Sequence, residues 1–316
     1  MEKSERATIL GSFVDDHVEV QKLRVSMANR IGSLKRQEKA YKTSLNVLKA
    51  TSNVEELLER YISEEFQKHP AFPWTSKIWG CGMEAAAKPI GIIDGVIFKS
   101  TGRSGIEAFD TPSKLRRFCG LAVVDEHAEK VKKGEVGIHY NKMLRTLLWR
   151  LLLRLMQQRR FYCPKCQAKV TKKAEKCQKC SADIKDNKTL IEGVWLRRYK
   201  ENVTYYEQRC ERDGIKIMPT PLHRLCPKCK AEKKVPKTTR KCPECGAELM
   251  LKGEPPGILF RGHLDNMAKR RTIRLWVDCL WLVWRAAEGL PLRAPYPIEH
   301  QDHITLISPW EMIDRD

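Results

Sequence analysis

Eight of the twelve cysteines fall in four Cys-x-x-Cys pairs, and this spacing constrains the chain more than any other feature. Cys163-Pro164-Lys165-Cys166 and Cys177-Gln178-Lys179-Cys180 stand ten residues apart. Cys226-Pro227-Lys228-Cys229 and Cys242-Pro243-Glu244-Cys245 stand twelve apart, with Gly246 directly after the last cysteine. A Cys-x-x-Cys turn sets two thiolates on one side of a knuckle, and two knuckles close a tetrahedral four-sulfur site that zinc accepts with no open position. The expectation is two structural Zn2+, one held by Cys163, Cys166, Cys177 and Cys180 and one by Cys226, Cys229, Cys242 and Cys245. Such closed sites leave no place for a substrate, so neither metal is expected to catalyse. Each module is too short to bury a core and is expected to fold only with its metal. Disulfides and an iron–sulfur cluster are the competing readings.

Charge collects around the same cysteines. The 316 residues carry a formal charge of +20, yet the stretch 141–274 holds 34 Lys and Arg against 13 Asp and Glu, and the remainder is close to neutral. Nine of the twelve cysteines lie in that stretch. A field of this sign concentrates polyanions, so DNA and/or RNA is the expected partner, and an enzyme acting on cationic substrates is disfavoured. With 42% hydrophobic residues the chain is neither a disordered tail nor a small disulfide knot. The N-terminus leads into no apolar run of signal-peptide length, and the two most apolar stretches are broken by Arg150, Arg154 and Asp278. No membrane association is expected, and the reading is a cytoplasmic, nucleic-acid-associated protein whose thiols stay reduced.

A mainly α fold follows from periodicity. Residues 1–68 contain no proline, and Phe13, Val20, Met27, Leu34, Tyr41 and Leu48 recur every seven positions, which predicts a long helix or helical hairpin. Two uses of that stripe stay open: packing within the chain, or a coiled-coil homodimer seam. His69-Pro70-Ala71-Phe72-Pro73 breaks the helix. A compact helical domain is expected over 74–160. In it, Ile78-Trp79-Gly80-Cys81-Gly82 precedes Met83-Glu84-Ala85-Ala86-Ala87, a helix-hairpin-helix pattern that lets backbone N–H groups approach a phosphate, or else a plain tight turn. Thr111 or Ser113 caps the next helix, which carries Arg116 and Arg117 on its surface. Zinc ribbon 1 is expected at 161–188, a helical connector at 189–222, zinc ribbon 2 at 223–252, and a C-terminal Trp-rich helix and tail at 260–316.

The ribbons present lysines: Lys165, Lys169, Lys172, Lys173, Lys176 and Lys179 in the first, and Lys228, Lys230, Lys233, Lys234, Lys237, Arg240 and Lys241 in the second. A surface built only for solubility would mix signs, so phosphate contact is favoured. The connector interleaves Trp195, Arg197, Arg198, Tyr199, Tyr205 and Tyr206, which read either as base-stacking groups or as core. The candidate nucleic-acid contacts are Gly80, Gly82, Arg116, Arg117, Lys132, Lys133, Arg145, Lys172, Lys173, Arg197, Arg198, Lys233, Lys234, Lys237, Arg270 and Arg271. Trp276, Trp281 and Trp284 are expected in the core. His263, Asp265, His300 and His303 offer a metal or acid–base set that spacing alone does not support.

The middle block resembles the C-terminal transposase domain of the bridge-RNA-guided DEDD insertion-sequence transposases. The resemblance runs over about residues 1–155: the Gly80–Gly82 hairpin with Ala86, then Phe109 through Gly120-Leu121, then Gly137-Ile138-His139-Tyr140-Asn141-Lys142-Met143-Leu144-Arg145 opening an apolar helix. It implies a glycine hairpin, a helix ending in Gly-Leu, a loop and an Arg-bearing helix, after a coiled coil. Two departures matter. The family's RuvC-like domain with four acidic ligands has no room before the first helix, and the loop 122–140 contains no serine or threonine for the family's nucleophile. Tyr140 is a conceivable nucleophile whose activation nothing establishes. No catalytic residue is therefore assigned, and the paired zinc modules look like an insertion. The reading is a zinc-containing nucleic-acid-binding protein related to such transposases. The alternatives are an active recombinase subunit with a RuvC-like nuclease partner in trans, and a zinc-ribbon scaffold that binds protein.

Overall fold

A computed structural model describes residues 3–34, 38–98, 101–124, 127–128, 140–220, 241–247, 257–293 and 307–314. The chain is mainly helical and divides into two compact units. The first comprises Met1–Arg197 and Ile273–Asp316, and the second Arg198–Thr272. Residues of the expected segments 74–160 and 161–188 and the tryptophan run of 260–316 fall in the first unit. Among the described residues no helix is long and apolar enough to cross a membrane.

In the first unit, α1 (Lys3–Leu34) and α2 (Glu38–Gln67) form a hairpin. Phe13 stacks on Tyr61 at 5.6 Å, while Leu10, Val14, Ile62 and Phe66 are fully buried. α1 also crosses α4 (Met83–Asp94) very closely. A Cβ on Gly11 would stand 2.7 Å from the Gly95 Cα, and one on Gly91 would stand 2.6 Å from a Val14 methyl, so only glycines permit this crossing. Between α2 and α4 lies the short α3 (Phe72–Thr75), opened by Pro73 in its first turn.

A short hairpin, β1 (Ile97–Phe98) with β2 (Arg103–Ser104), leads to α5 (Pro112–Phe118). Thr111 caps α5 by accepting from the Lys114 N–H, which settles the cap in favour of Thr111 over Ser113. Past α5, β3 (Val123–Val124) pairs with β4 (His127–Ala128). Asn141 caps α6 (Lys142–Met156) in the same way through Leu144, and Leu144, Leu148, Leu151, Leu152 and Leu155 line its buried face. The core closes on α8 (Arg261–Ala287), whose residues from Ile273 onward belong to this unit. As expected, Trp276, Trp281 and Trp284 are buried, with Trp74 beside them. The Trp281 indole donates to the Phe109 carbonyl at 2.7 Å and Trp74 donates to the Pro309 carbonyl at 2.8 Å, which removes the penalty of burying their N–H groups.

After α6 the first unit continues into a three-stranded sheet of order β6-β5-β7: β5 (Arg159–Tyr162) at the centre, β6 (Lys169–Val170) and β7 (Thr189–Glu192) antiparallel on either side. Its own small cluster, Cys163, Cys177 and Ile184 with Ala168, Val170 and Ala182, is separate from the main core. Arg160 lies over the Trp79 ring at 3.8 Å. The Asp314 carboxylate accepts from the backbone N–H of both Trp79 and Val194 at 2.7 Å, so it caps α7 (Val194–Arg212) from 120 residues away.

The second unit pairs α7 from Arg198 with α8 up to Thr272. Asn202 donates to Thr272 at 2.9 Å in its interior, and β8 (Lys216–Met218) runs parallel to β9 (Ile258–Phe260). Cys210, the odd cysteine of the basic stretch, is buried, and burial pushes its thiol up.

Candidate metal centre

The four cysteines Cys163, Cys166, Cys177 and Cys180 are brought together as the spacing predicts. Their Sγ atoms all lie within 4.8 Å of one another, with Cys163 to Cys180 at 3.6 Å and Cys166 to Cys177 at 3.5 Å. Zinc–sulfur bonds of ~2.3 Å in a tetrahedron put sulfurs about 3.8 Å apart, whereas a disulfide needs about 2.05 Å. All four cysteines are free, so the geometry is that of a metal site and not of two cross-links. Four convergent thiols could hold one metal ion, and their separations match those of a tetrahedral zinc site.

Each knuckle is built to lower the cost of thiolate. At Cys177 the backbone N–H of Cys180, then that of Lys179, point at the sulfur and bring its pKa down to about 6 against the opposing effect of burial. Burial also opposes ionisation of Cys163, and the N–H groups of Cys166 and Lys165 outweigh it. Cys166 is pushed up to about 12: the Ala168 N–H favours its thiolate, but burial and the hydrogen bonds with the Cys180, Cys177 and Cys163 sulfurs prevail.

The same backbone pattern occurs three times. The Cys163 N–H donates to the Ala168 carbonyl at 2.9 Å, and the Gln167 N–H returns to Cys163 at 2.9 Å. Cys177, Ala182 and Ser181 repeat both bonds at 2.9 Å, and so do Cys242, Ala247 and Gly246. The residue after the second cysteine is left-handed each time: Gln167 and Ser181 at φ 56°, Gly246 at φ 67°. Gly246 adopts this freely, while Gln167 and Ser181 hold a conformation unfavourable to them, as closing the knuckle requires. Cys242 and Cys245 thus form a knuckle of the same kind, while the other pair of the second set, Cys226 and Cys229, lies outside the described residues.

Around the first centre, Lys165, Lys169, Lys172, Lys173, Lys176 and Lys179 are all exposed, and among the described residues none of the six makes an ion pair. The segment 161–188 carries eight lysines against three acidic residues. No family model, curated protein or solved structure matches this chain.

The remaining candidates are dispersed. Gly80, at φ +83°, makes the turn before α4, and the Gln158 side chain occupies the place its Cβ would take, 2.8 Å away. Gly82 is the N-cap of α4 with nothing within 4 Å of an added Cβ, so backbone is open there. Arg117 is exposed, but Arg116 needs correction: it binds Asp278 through two hydrogen bonds, with side chains only 11% and 12% exposed. Burying the Asp278 carboxylate demands a partner, and Arg116 is consumed by it rather than offered to a polyanion. Burial still leaves Asp278 raised despite Arg116. Arg145 lies 5.1 Å from the ring centre of Tyr140, which itself packs over Gly120 (φ +68°).

Lys172, Lys173, Arg197 and Arg271 are exposed, and Arg270 is half-buried. Arg271 stacks on the exposed Tyr205 at 3.8 Å, and Arg198 pairs with Glu201 at 2.7 Å. Trp195 is core, whereas Tyr205 meets Tyr206 edge-on at 5.2 Å near the surface. Asp265 is engaged by Tyr199 and Lys269, not by His263, and His300 and His303 lie outside the described residues, as do Lys132, Lys133, Lys233, Lys234 and Lys237.

Sequence reasoning missed one cluster. His17, buried in α1, points Nε2 at Glu59 (3.1 Å) and Glu55 (3.6 Å) of α2. Burial works against both carboxylates, but Arg24 and Gln21 hold Glu55 below its usual range and Lys88 does the same for Glu59. With two cations already on two carboxylates, the trio is an internal ion network, and adding a metal would cost the cluster its balance. A histidine one turn from the buried Val14, facing glutamates one turn apart on the next helix, is the signal available in the sequence.

Proposed function

We propose that this protein binds nucleic acid through zinc-organised basic ribbons and is not itself the catalyst of strand chemistry. The observation that carries the reading is the four-thiol centre surrounded by six exposed lysines that lack ion-pair partners. A metal that fixes the knuckles also fixes where the lysines project, turning flexible charge into an ordered surface for phosphates. The third knuckle, at Cys242 and Cys245, supports a second zinc completed by Cys226 and Cys229, which would extend that surface with Lys233, Lys234 and Lys237.

The relation to the insertion-sequence transposases belongs to the same proposal. Its support is the order of elements: a helical hairpin, the Gly80 turn into α4, α5 followed by Gly120-Leu121, and the Arg145-bearing α6. A protein-gripping scaffold is the second reading, favoured by edge strand β7, where Leu190 and Ile191 are 47% and 41% exposed.

Fluorescence anisotropy with labelled duplex DNA, single-stranded DNA and RNA over a salt series tests the binding. Log affinity is expected to fall linearly with log salt, with a slope of about −0.9 per phosphate neutralised on duplex and about −0.7 on single strands. Changing Lys172, Lys173 and Lys176 to Gln should flatten the slope by two to three phosphates' worth. Absence of binding at low salt, or binding indifferent to salt, refutes the reading.

A further inference from the structure

A cleft of about 330 Å³ opens between α1, α4 and α6 of the first unit, away from the cysteine knuckles. Three cations line it, Lys88, Arg150 and Arg154, and among the described residues no acidic side chain does. Their placement follows from the helix repeat. Leu147, Arg150, Leu151 and Arg154 fall at spacings of three and four on α6, so Arg150 and Arg154 flank the cleft from the exposed side while Leu151 joins the core. Lys88 and Gln21 reach it from behind, each anchored: Lys88 Nζ lies 3.0 Å from Glu59 and Gln21 Nε2 lies 2.9 Å from Glu55. Arg24 and Lys88 balance those two carboxylates.

The remaining wall is apolar: Ala85, from the first turn of α4, with Leu147 and the exposed Leu153. A concave site lined by cations of one sign focuses positive potential on whatever enters it. The volume is at the lower end of ligand pockets, about 300–1,000 Å³, which suits one small unit and excludes a length of duplex. A purely ionic site would not need leucines, and a purely apolar ligand would not meet three cations. The geometry points to a nucleotide site: a phosphate held by the exposed Arg150 and Arg154, with the sugar or base of the same unit against Leu147 and Leu153, while Lys88 stays on Glu59 at the back of the cleft. Its source is either one residue of a bound polynucleotide or a free nucleotide. The polynucleotide case rests on the function proposed above and adds to it a second, zinc-independent point of attachment.

Arg150→Gln/Arg154→Gln alters two exposed side chains, and Ala85→Leu narrows the cleft without changing charge. Circular dichroism confirms that each variant folds. Anisotropy with a labelled single-stranded oligonucleotide is read over a salt series, and AMP binding is read by calorimetry. The double variant is expected to bind the oligonucleotide at least tenfold more weakly near 100 mM salt, with a slope shallower by about 1.4. Ala85→Leu is expected to weaken binding with the slope less affected. If the wild type binds the oligonucleotide and both variants match it in affinity and slope, the cleft site is refuted while nucleic-acid binding stands. If the oligonucleotide fails to bind but AMP binds the wild type and not the double variant, the site holds a free nucleotide and the polynucleotide reading falls. If neither ligand binds the wild type, both fall.

Discussion

Removing zinc should unfold the ribbon and leave the helical core standing, and the structure says why. The ribbon's own cluster contains one fully buried aliphatic side chain, Ile184, with small residues and sulfurs around it. Burying such a side chain is worth about 1.5–3 kcal/mol, whereas structural zinc in small modules contributes apparent free energies of about 10–16 kcal/mol. Metal therefore outweighs packing several-fold between Cys163 and Ile184. The main core rests instead on five buried tryptophans and the leucine face of α6, a cluster separate from the thiols. Hydrogen–deuterium exchange with and without a strong chelator separates the two. Amides of the knuckles, those of Cys163, Gln167, Cys177 and Ser181, should lose protection by several orders of magnitude, and amides of α6 should change by less than about tenfold. Zinc release measured alongside should give two ions per chain for the wild type, one for Cys177→Ser and one for Cys242→Ser. Unchanged protection of the knuckles in fully zinc-free protein refutes the argument, and one zinc in the wild type removes the second centre.

The Arg116–Asp278 pair gives a stability prediction with a pH signature. Arg116→Leu strands a buried carboxylate and should cost about 3–5 kcal/mol near neutral pH, lowering Tm by about 2–4 °C per kcal/mol in a unit of this size, while Arg116→Leu with Asp278→Leu should recover most of it. Asp278 is already raised by burial and loses its main counter-charge in the single variant. A carboxyl raised in the folded state binds its proton more tightly there than when unfolded, so the deficit should be largest above the raised pKa and shrink as pH falls through it. A deficit that grows on acidification, followed by thermal melts across pH, contradicts this. Gly91→Val should destabilise the α1–α4 crossing by about 1–3 kcal/mol or more, because its side chain meets the Val14 methyl, and a chemical melt within 0.5 kcal/mol of wild type refutes the close approach.

What was legible in the sequence was local. The thiol quartet followed from spacing alone, a cap at Thr111 or Ser113 from residue type, and a long helix or helical hairpin from a seven-residue period. The tryptophans were assigned to the core correctly because burying so much apolar area leaves little choice. The failures were long-range. Arg116 looked like a surface cation because nothing near it in sequence is acidic, and Asp278 stands 162 positions away. Asp314 capping α7 and His17 meeting Glu55 and Glu59 are of the same kind: each needs the fold before the partner can be named. The left-handed Gln167 and Ser181 were hidden differently, since neither residue type advertises that conformation and only Gly246, in the matching place, does.

These long-range pairs also redistribute the chain's charge. In the helical unit Arg24, Lys88 and Arg116 are matched to Glu55, Glu59 and Asp278, so much of its positive charge is bound up in structure. The ribbon's six lysines make no ion pair among the described residues, and Arg150 and Arg154 border the cleft. On the proposed function the two surfaces would differ in what holds them: metal for the lysines, helix packing for the arginines. Chelation should therefore remove one contribution to polyanion binding and spare the other. A salt slope measured on zinc-free protein is expected to be shallower than on the zinc-loaded protein yet not zero, and in the Arg150→Gln/Arg154→Gln variant without zinc it should fall further. If chelation abolishes salt-dependent binding completely, the cleft contributes nothing and the ribbons carry the whole interaction; if chelation leaves the slope unchanged, the metal does not organise the lysines.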